Sequence, residues 1–176
     1  MAEQEAMRER EAESKPRALY DELFRLINTA QQRSETGKIV IRGKDLPWEK
    51  SRQGLLKWYC HPAVDDTAVG DWMFFVHEIH THSGRHRHQG GLAIYVVEGQ
   101  GYTTVNGKRV DWKEGDLILL PIVADGVEHQ HFNTDPSKPA RWLAMVPFDL
   151  QEKLGNELRQ VEESPDWQKG LTEAQH

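Results

Sequence analysis

The chain has 176 residues, of which 38% are hydrophobic and 28% charged, and this composition is typical of one globular domain with extensions. Its net charge of −6 and the lack of a basic stripe argue against nucleic acid or an anionic membrane surface as a partner. The single cysteine, Cys60, excludes an internal disulfide bond. The chain also shows neither an apolar signal segment nor a membrane-spanning apolar run, so we expect a cytoplasmic protein.

The N-terminal part predicts a tail followed by a helix. Residues 1–16 are almost entirely polar and charged, which is typical of a flexible tail. The next segment predicts an amphipathic helix over 17–33, because apolar residues recur at helical spacing. These residues are Leu19, Leu23, Leu26 and Ile27. Such a helix either caps the domain or packs on a second subunit, and capping is the simpler expectation.

From residue 38 to residue 147 the chain consists of short strand-like runs separated by turn residues. Asn106-Gly107 is the strongest hairpin signal and joins "YTTV" to "KRVDW" through an expected type I′ turn. About eight such strands without intervening helices predict an antiparallel sandwich or barrel. Residues 148–163 are expected to form a final helix interrupted only by Gly155, within a C-terminal helix and tail over 148–176.

Three histidines in this strand region predict a metal site. His86 and His88 are two residues apart, so on a strand both imidazoles point to the same face. His129, from a distant strand, would supply a third nitrogen. Three protein ligands with open positions are how proteins hold a catalytic metal rather than a structural one.

The motifs around these histidines resemble those of the cupins. The segment "GRHRHQGGLAIYVVEGQG" is similar to the first cupin motif, and "GDLILLPIVADGVEHQHFN" to the second. The marker positions of the second motif are occupied by Gly115, Pro121, His129 and Asn133. The resemblance covers about residues 70–147. It implies an all-β fold, a single cupin (double-stranded β-helix jelly roll) with N-terminal and C-terminal helical extensions.

A second pair with the same spacing, His80 and His82, competes for the role of metal ligand. Counting from His88, the chain reaches Glu98-Gly99 at the spacing of the cupin motif. Counting from His82 would place the turn glycine inside "LAIYVV", where no glycine occurs. His80 and His82 are therefore expected at the end of the preceding strand, where either could contact substrate.

One departure from the common cupin motif indicates a particular branch. Leu92 and Ala93 stand where most metal-binding cupins carry a glutamate ligand. This pattern resembles gentisate 1,2-dioxygenase and its salicylate and 1-hydroxy-2-naphthoate relatives. By that resemblance His86, His88 and His129 bind one Fe(II), and a small aromatic substrate and O2 react beside it. Those enzymes typically carry an inward arginine where this chain has Ile94, which favours hydroxyaryl ketones or other phenolics over carboxylated aromatics.

Other residues are expected around the substrate. His131 shares a strand face with His129 and is the candidate catalytic residue, with two roles open: it steers or protonates bound oxygen, or it orients a ligand through a hydrogen bond. By alternation with His88, an apolar pocket is expected from Leu92, Ile94 and Val96. Trp72 and Phe74 are the aromatic candidates for the pocket wall, with burial in the sandwich core as the alternative.

Three functions fit these residues. The favoured one is an Fe(II)-dependent dioxygenase that cleaves a carbon–carbon bond of a hydroxylated aromatic compound with O2. The alternatives are a metal-dependent isomerase, cyclase or lyase, in which the metal acts only as a Lewis acid, and a non-enzymatic small-molecule-binding cupin. Imidazole suits several transition metals, so spacing alone does not select iron. A homo-oligomer, a dimer or higher, is expected because a single sandwich leaves sheet edges exposed.

Overall fold

A computed structural model describes residues 18–64 and 66–167. The tail predicted over residues 1–16 and the last residues of the predicted C-terminal tail lie outside the described residues. No helix within the described ranges combines the length and the apolar character that crossing a membrane requires.

Strands are the main regular structure of the described chain. The described residues include helices α1 (Leu19–Thr36) and α2 (Phe148–Lys153) and a short 3₁₀ helix at Gly43–Asp45. The strands are β1 (Glu49–Ser51), β2 (Gly54–Cys60), β3 (Trp72–Ile79), β4 (Arg85–His88), β5 (Leu92–Glu98), β6 (Gln100–Val105), β7 (Lys108–Lys113), β8 (Leu117–Leu120), β9 (Val127–Asn133), β10 (Ala140–Pro147) and β11 (Arg159–Glu162).

The strands form two sheets that face each other. One sheet has the order β1-β2-β3-β10-β5-β8, and the other has the order β11-β4-β9-β6-β7. All pairings between these strands are antiparallel. The predicted antiparallel sandwich is therefore confirmed.

The hydrophobic core lies between the two sheets and follows from alternation along the strands. In β10, Ala140, Trp142, Ala144 and Val146 are buried while the residues between them are partly exposed. Burying a large apolar side chain in this way contributes about 1.5–3 kcal/mol to stability. Because β10 pairs with both β3 and β5, these side chains lie at the centre of the larger sheet.

The turn between β6 and β7 is the predicted hairpin. Asn106 has φ 47° and Gly107 has φ 77°, and Val105 pairs directly with Lys108. Two central residues with positive φ are what a type I′ turn requires, and asparagine and glycine tolerate this conformation best.

Helix α1 forms where it was predicted but does not cap the sandwich. Its apolar side chains are between 48% and 71% exposed. They are Leu19, Tyr20, Leu23, Phe24, Leu26 and Ile27. The capping expectation is therefore wrong for the single chain. Packing against a second subunit stays a prediction.

The C-terminal segment differs from the single helix predicted over residues 148–163. Helix α2 ends at Lys153, and Gly155 follows with φ 60°. The chain then continues as β11, which pairs with β4, the strand that carries His86 and His88. The helical pattern was overridden because pairing with β4 satisfies backbone groups that would otherwise lie at a sheet edge.

Asn133 closes the loop that follows β9. Its side-chain nitrogen Nδ2 lies within 3.2 Å of four backbone carbonyl oxygens, and its Oδ1 accepts from the backbone N–H of Asp135. The carbonyls belong to Ile79, His80, Asp135 and Lys138. Asn133→Asp would replace this donor with a charged acceptor facing those carbonyls. We expect the free energy of unfolding to fall by about 2–4 kcal/mol, measured by urea denaturation.

Asn106 provides the matched control for this prediction. Its Oδ1 accepts from the backbone N–H of Glu128, a bond that a carboxylate oxygen can also make. Asn106→Asp should therefore change the free energy of unfolding by less than about 1 kcal/mol. Equal losses in both variants would contradict the role assigned to Asn133.

Candidate metal centre

Three histidines meet on the inner face of the smaller sheet. His86 and His88 lie on β4 and His129 lies on β9, where it pairs directly with His86. The ring centroid of His129 is 4.2 Å from that of His86 and 4.9 Å from that of His88. One nitrogen from each ring lies within 4.8 Å of the others. The topology thus brings together the residues that the sequence predicted as metal ligands.

Burial keeps these three rings neutral at physiological pH. It lowers the pKa of His86 to about 3 and that of His88 to about 4. It also lowers the pKa of His129 well below the ordinary value, and the neighbouring rings of His86 and His88 lower it further. A metal binds only the neutral imidazole, so the cluster holds the protonation state that a cation needs.

The hydrogen bonding of His129 and His86 also leaves a ring nitrogen free to bind a metal. Nδ1 of His129 lies 3.4 Å from the carbonyl oxygen of Val127, which accepts its proton weakly and leaves Nε2 free. Nδ1 of His86 is buried without a hydrogen-bond partner in the described residues. Neither ring has its metal-binding nitrogen blocked by a protein donor.

His88 has to adjust when a cation binds. The backbone N–H of Gly90 donates to Nδ1 of His88 over 2.9 Å, which places the proton of the neutral ring on Nε2. Ligation through Nε2 would move that proton to Nδ1, where it would face the N–H of Gly90. Two donors cannot share one hydrogen bond, so the ring or the Gly90 peptide must shift on loading.

The competing pair lies outside the cluster. The His80 side chain is 45% exposed and lies 3.3 Å from carboxylate oxygens of Glu78 and Asp166. Nδ1 of His82 contacts the Ser83 carbonyl and the Gln130 amide. Both side chains lie away from the cavity that the three histidines line.

A cavity of about 690 Å³ opens beside the three histidines. Its apolar wall is formed by Leu56, Trp58, Met73, Phe75, Leu92, Ile94, Trp142, Ala144 and Val146. The turn between β1 and β2 and the segment from α2 to β11 line the remainder with mainly polar side chains. Size and lining suit a small, largely apolar ligand.

Only some of the predicted pocket residues line the cavity. Leu92 and Ile94 line the cavity, whereas Val96 is fully buried in the core. Trp72 and Phe74 do not line the cavity, and their rings stack on each other 5.3 Å apart. The expectation for these three residues is corrected. On β3 the alternation runs in the other phase, so that Met73 and Phe75 point inward.

Two further histidines line the cavity. His131 was predicted there, and its ring centroid lies 5.4 Å from that of His129. His77 was not predicted; burial lowers its pKa to about 3, and its ring packs 4.7 Å from that of Trp142. His77 shares a strand face with Met73 and Phe75, but the all-apolar start of β3 does not reveal from sequence that this face points inward.

One family model matches part of the chain. Residues 73–146 match the family model described as "Cupin domain". The two facing antiparallel sheets agree with the predicted all-β jelly-roll fold, which is confirmed.

Particular relatives show a narrower likeness. A stretch of 66 residues is 39% identical to a gentisate 1,2-dioxygenase from a Ralstonia species, covering 37% of this chain and 18% of that enzyme. The polyketide cyclase RemF from Streptomyces resistomycificus has a similar structure, with a TM-score of 0.54 and 18% identity over 74% of this chain and 89% of that one. Salicylate 1,2-dioxygenase from Pseudoaminobacter salicylatoxidans gives a TM-score of 0.51 with 20% identity over 80% and 37%. At these identities the structural likeness establishes the fold.

Proposed function

We propose that this cupin is an Fe(II)-dependent dioxygenase that cleaves a carbon–carbon bond of a hydroxylated aromatic compound with O2. The observation that carries the proposal is a cluster of three neutral, mostly buried imidazoles without a carboxylate, beside an apolar cavity. Three protein ligands leave room for further molecules to bind at the metal. The partial identity to a gentisate 1,2-dioxygenase supports the same class of reaction.

Each part of the site has a role in this proposal. His86, His88 and His129 hold the iron, which when bound supplies the one-electron chemistry that O2 needs in order to react with an aromatic ring. The apolar wall packs against the ring of the substrate and excludes water. His131, beside the cluster, contacts an oxygen atom of the substrate. Holding the substrate next to the metal supplies the proximity contribution to the rate.

The cavity favours a substrate without a carboxylate. Ile94 contributes an apolar side chain to its wall, and the five lining histidines are neutral because burial lowers their pKa values. Arg52 is the one lysine or arginine among the described lining residues, and its side chain is 66% exposed beside Glu163. A carboxylate on the aromatic ring of the substrate would lose its hydration in the cavity without gaining a buried cationic partner.

The test is O2 uptake by the protein reconstituted with Fe(II) in the absence of air. Substrates are offered as matched pairs that differ in one carboxylate, such as gentisate with 2,5-dihydroxyacetophenone and salicylate with 2-hydroxyacetophenone, together with catechols and 1-hydroxy-2-naphthoate. We expect the uncharged member of a pair to react with a kcat/KM at least about tenfold higher. Mass spectrometry of the product would show whether both oxygen atoms are incorporated.

The possible outcomes separate the candidate functions. Conversion of a substrate without O2 consumption, equally fast with Zn²⁺, would replace the proposal with a Lewis-acid isomerase, cyclase or lyase. Ligand binding without conversion would favour a binding protein. Preference for the carboxylated member of a pair would contradict the argument from the missing buried cation and leave the dioxygenase proposal intact.

The remaining expectations about the protein in the cell are proposals as well. The exposed apolar side chains of α1 support assembly into a homo-oligomer, because surfaces of this kind usually contact a partner. A cytoplasmic location stays a prediction.

A further inference from the structure

A chain of hydrogen bonds runs behind the cavity to His131. Nε1 of Trp112 lies 2.9 Å from Oγ1 of Thr103, and that oxygen lies 2.7 Å from Nδ1 of His131. All three residues are buried, with exposed fractions of 4%, 0% and 1%. The sequence did not predict that these three residues are linked. Of the three, the proposed reaction involves only His131.

The strand pairing and one glycine hold this chain in place. Thr103 on β6 pairs directly with His131 on β9, and Gly101 on β6 pairs with Trp112 on β7. A Cβ atom on Gly101 would lie 2.6 Å from the indole ring and 1.9 Å from a backbone oxygen of Phe132. Glycine at this position therefore makes room for the indole that reaches Thr103.

Counting protons fixes the direction of the two hydrogen bonds. The indole N–H can only donate, so it occupies a lone pair of Thr103 Oγ1. The hydroxyl then has one proton to give, and His131 Nδ1 is its acceptor within the described residues. If Nδ1 were the donor instead, the fully buried hydroxyl proton would have no acceptor there, which proteins avoid.

This direction decides what His131 presents to the cavity. With Nδ1 accepting, the neutral ring carries its proton on Nε2. Nε2 is buried and has no hydrogen-bond partner in the described part of the chain, although the ring lines the cavity beside His129. An N–H group without a protein acceptor is suited to an oxygen atom of a ligand.

We propose that Thr103, supported by Trp112, is a positioning residue that fixes His131 in the Nε2–H tautomer as a hydrogen-bond donor to a ligand oxygen. The ligand group is an acceptor, either a phenolate or a carbonyl oxygen, located next to the three-histidine cluster. This inference rests on the proposed function for the identity of the ligand. The tautomer itself does not depend on it.

The test compares Thr103→Val, which removes the hydroxyl at nearly constant volume, with Thr103→Ser, which keeps it. The full chain is labelled with ¹⁵N-histidine, and long-range ¹H–¹⁵N spectra report which ring nitrogen carries the proton, with and without Zn²⁺. His131→Gln assigns the signals by their disappearance. We expect a single Nε2–H tautomer in the wild type and in Thr103→Ser, and a mixture in Thr103→Val. Trp112→Phe should also give a mixture. Without the indole N–H, the hydroxyl oxygen of Thr103 can accept a hydrogen bond from Nδ1–H of His131.

A second measurement follows the consequence for binding. The affinity of the Zn²⁺-loaded protein for 2,5-dihydroxyacetophenone, measured by calorimetry, should fall about tenfold in Thr103→Val and be restored in Thr103→Ser. An Nδ1–H tautomer in the wild type, or an unchanged Nε2–H tautomer in Thr103→Val, would overturn the inference. Failure of the wild type to bind metal would contradict the proposed function and leave the tautomer result valid.

Discussion

His129→Ala is expected to weaken binding of Fe(II) or Zn²⁺ by more than about a hundredfold and to abolish O2 uptake with every substrate. Changing a residue that only supports a ligand already costs metal affinity by about 10–100-fold, and losing a ligand costs more. His129 is the one member of the cluster that lies on β9, so its loss leaves only the pair on β4. Metal content after dialysis, together with competition against a chelator, measures the effect.

His80→Ala is the matched control for this experiment, since His80 belongs to the other pair with the same spacing. Its side chain is 45% exposed and paired with carboxylates away from the cluster. This variant should bind metal as the wild type does. Wild-type affinity in His129→Ala, or loss of the metal in His80→Ala alone, would show that the ligands were assigned to the wrong pair. Circular dichroism confirms that each variant is folded.

The metal-free protein is expected to lose stability steeply as the pH falls below about 6.5. Five buried histidines have pKa values below the ordinary 6.5, chiefly because burial disfavours the charged ring. Their neutral form stabilises the fold fully above pH 6.5. Below that value the unfolded chain binds protons that the folded chain does not, so stability is lost until the pH reaches the folded-state pKa values, about 3 for His77 and His86 and about 4 for His88.

The size of this effect follows from the number of rings. Each contributes a slope of up to about 1.4 kcal/mol per pH unit, so five together approach about 7 kcal/mol per pH unit. A domain is stable by only about 5–15 kcal/mol, and the metal-free protein should therefore unfold within about two pH units. Urea denaturation between pH 8 and 5 measures the slope.

Single variants show which rings are responsible. His77→Gln should reduce the slope by about 1.4 kcal/mol per pH unit, the contribution of one ring. A stability that is constant from pH 7.5 to pH 5 would show that the five rings are not buried in neutral form.

Local patterns predicted those parts of the molecule that depend on neighbours in sequence. The period of two placed His86 and His88 on one face, and positive φ at Asn106 and Gly107 gave the expected hairpin. The cluster with His129 followed from the motif around it. These features involve few residues, and each residue type has a strong physical preference for its conformation.

Features that depend on distant partners were harder to predict. The phase of β3 cannot be read from "WMFF", in which every residue is apolar, so Trp72 and Phe74 were placed on the wrong face. The segment after Gly155 has a helical composition, yet pairing with β4 makes it a strand. The hydrogen bonds from Trp112 through Thr103 to His131 join three strands, and no spacing in the sequence reveals them.

The residues that line the cavity come from both inside and outside the segment that matches the cupin model. The three clustered histidines lie within residues 73–146, the segment that matches the cupin family model, but half of the lining residues lie outside it. Those residues come from the β1–β2 hairpin and from the stretch that runs through α2 to β11 alongside His86. The metal ligands are therefore encoded in the segment that matches the cupin model, whereas half of the cavity lining is encoded outside it, so a library confined to residues 148–162 would reshape one side of the cavity and leave the three histidines unchanged.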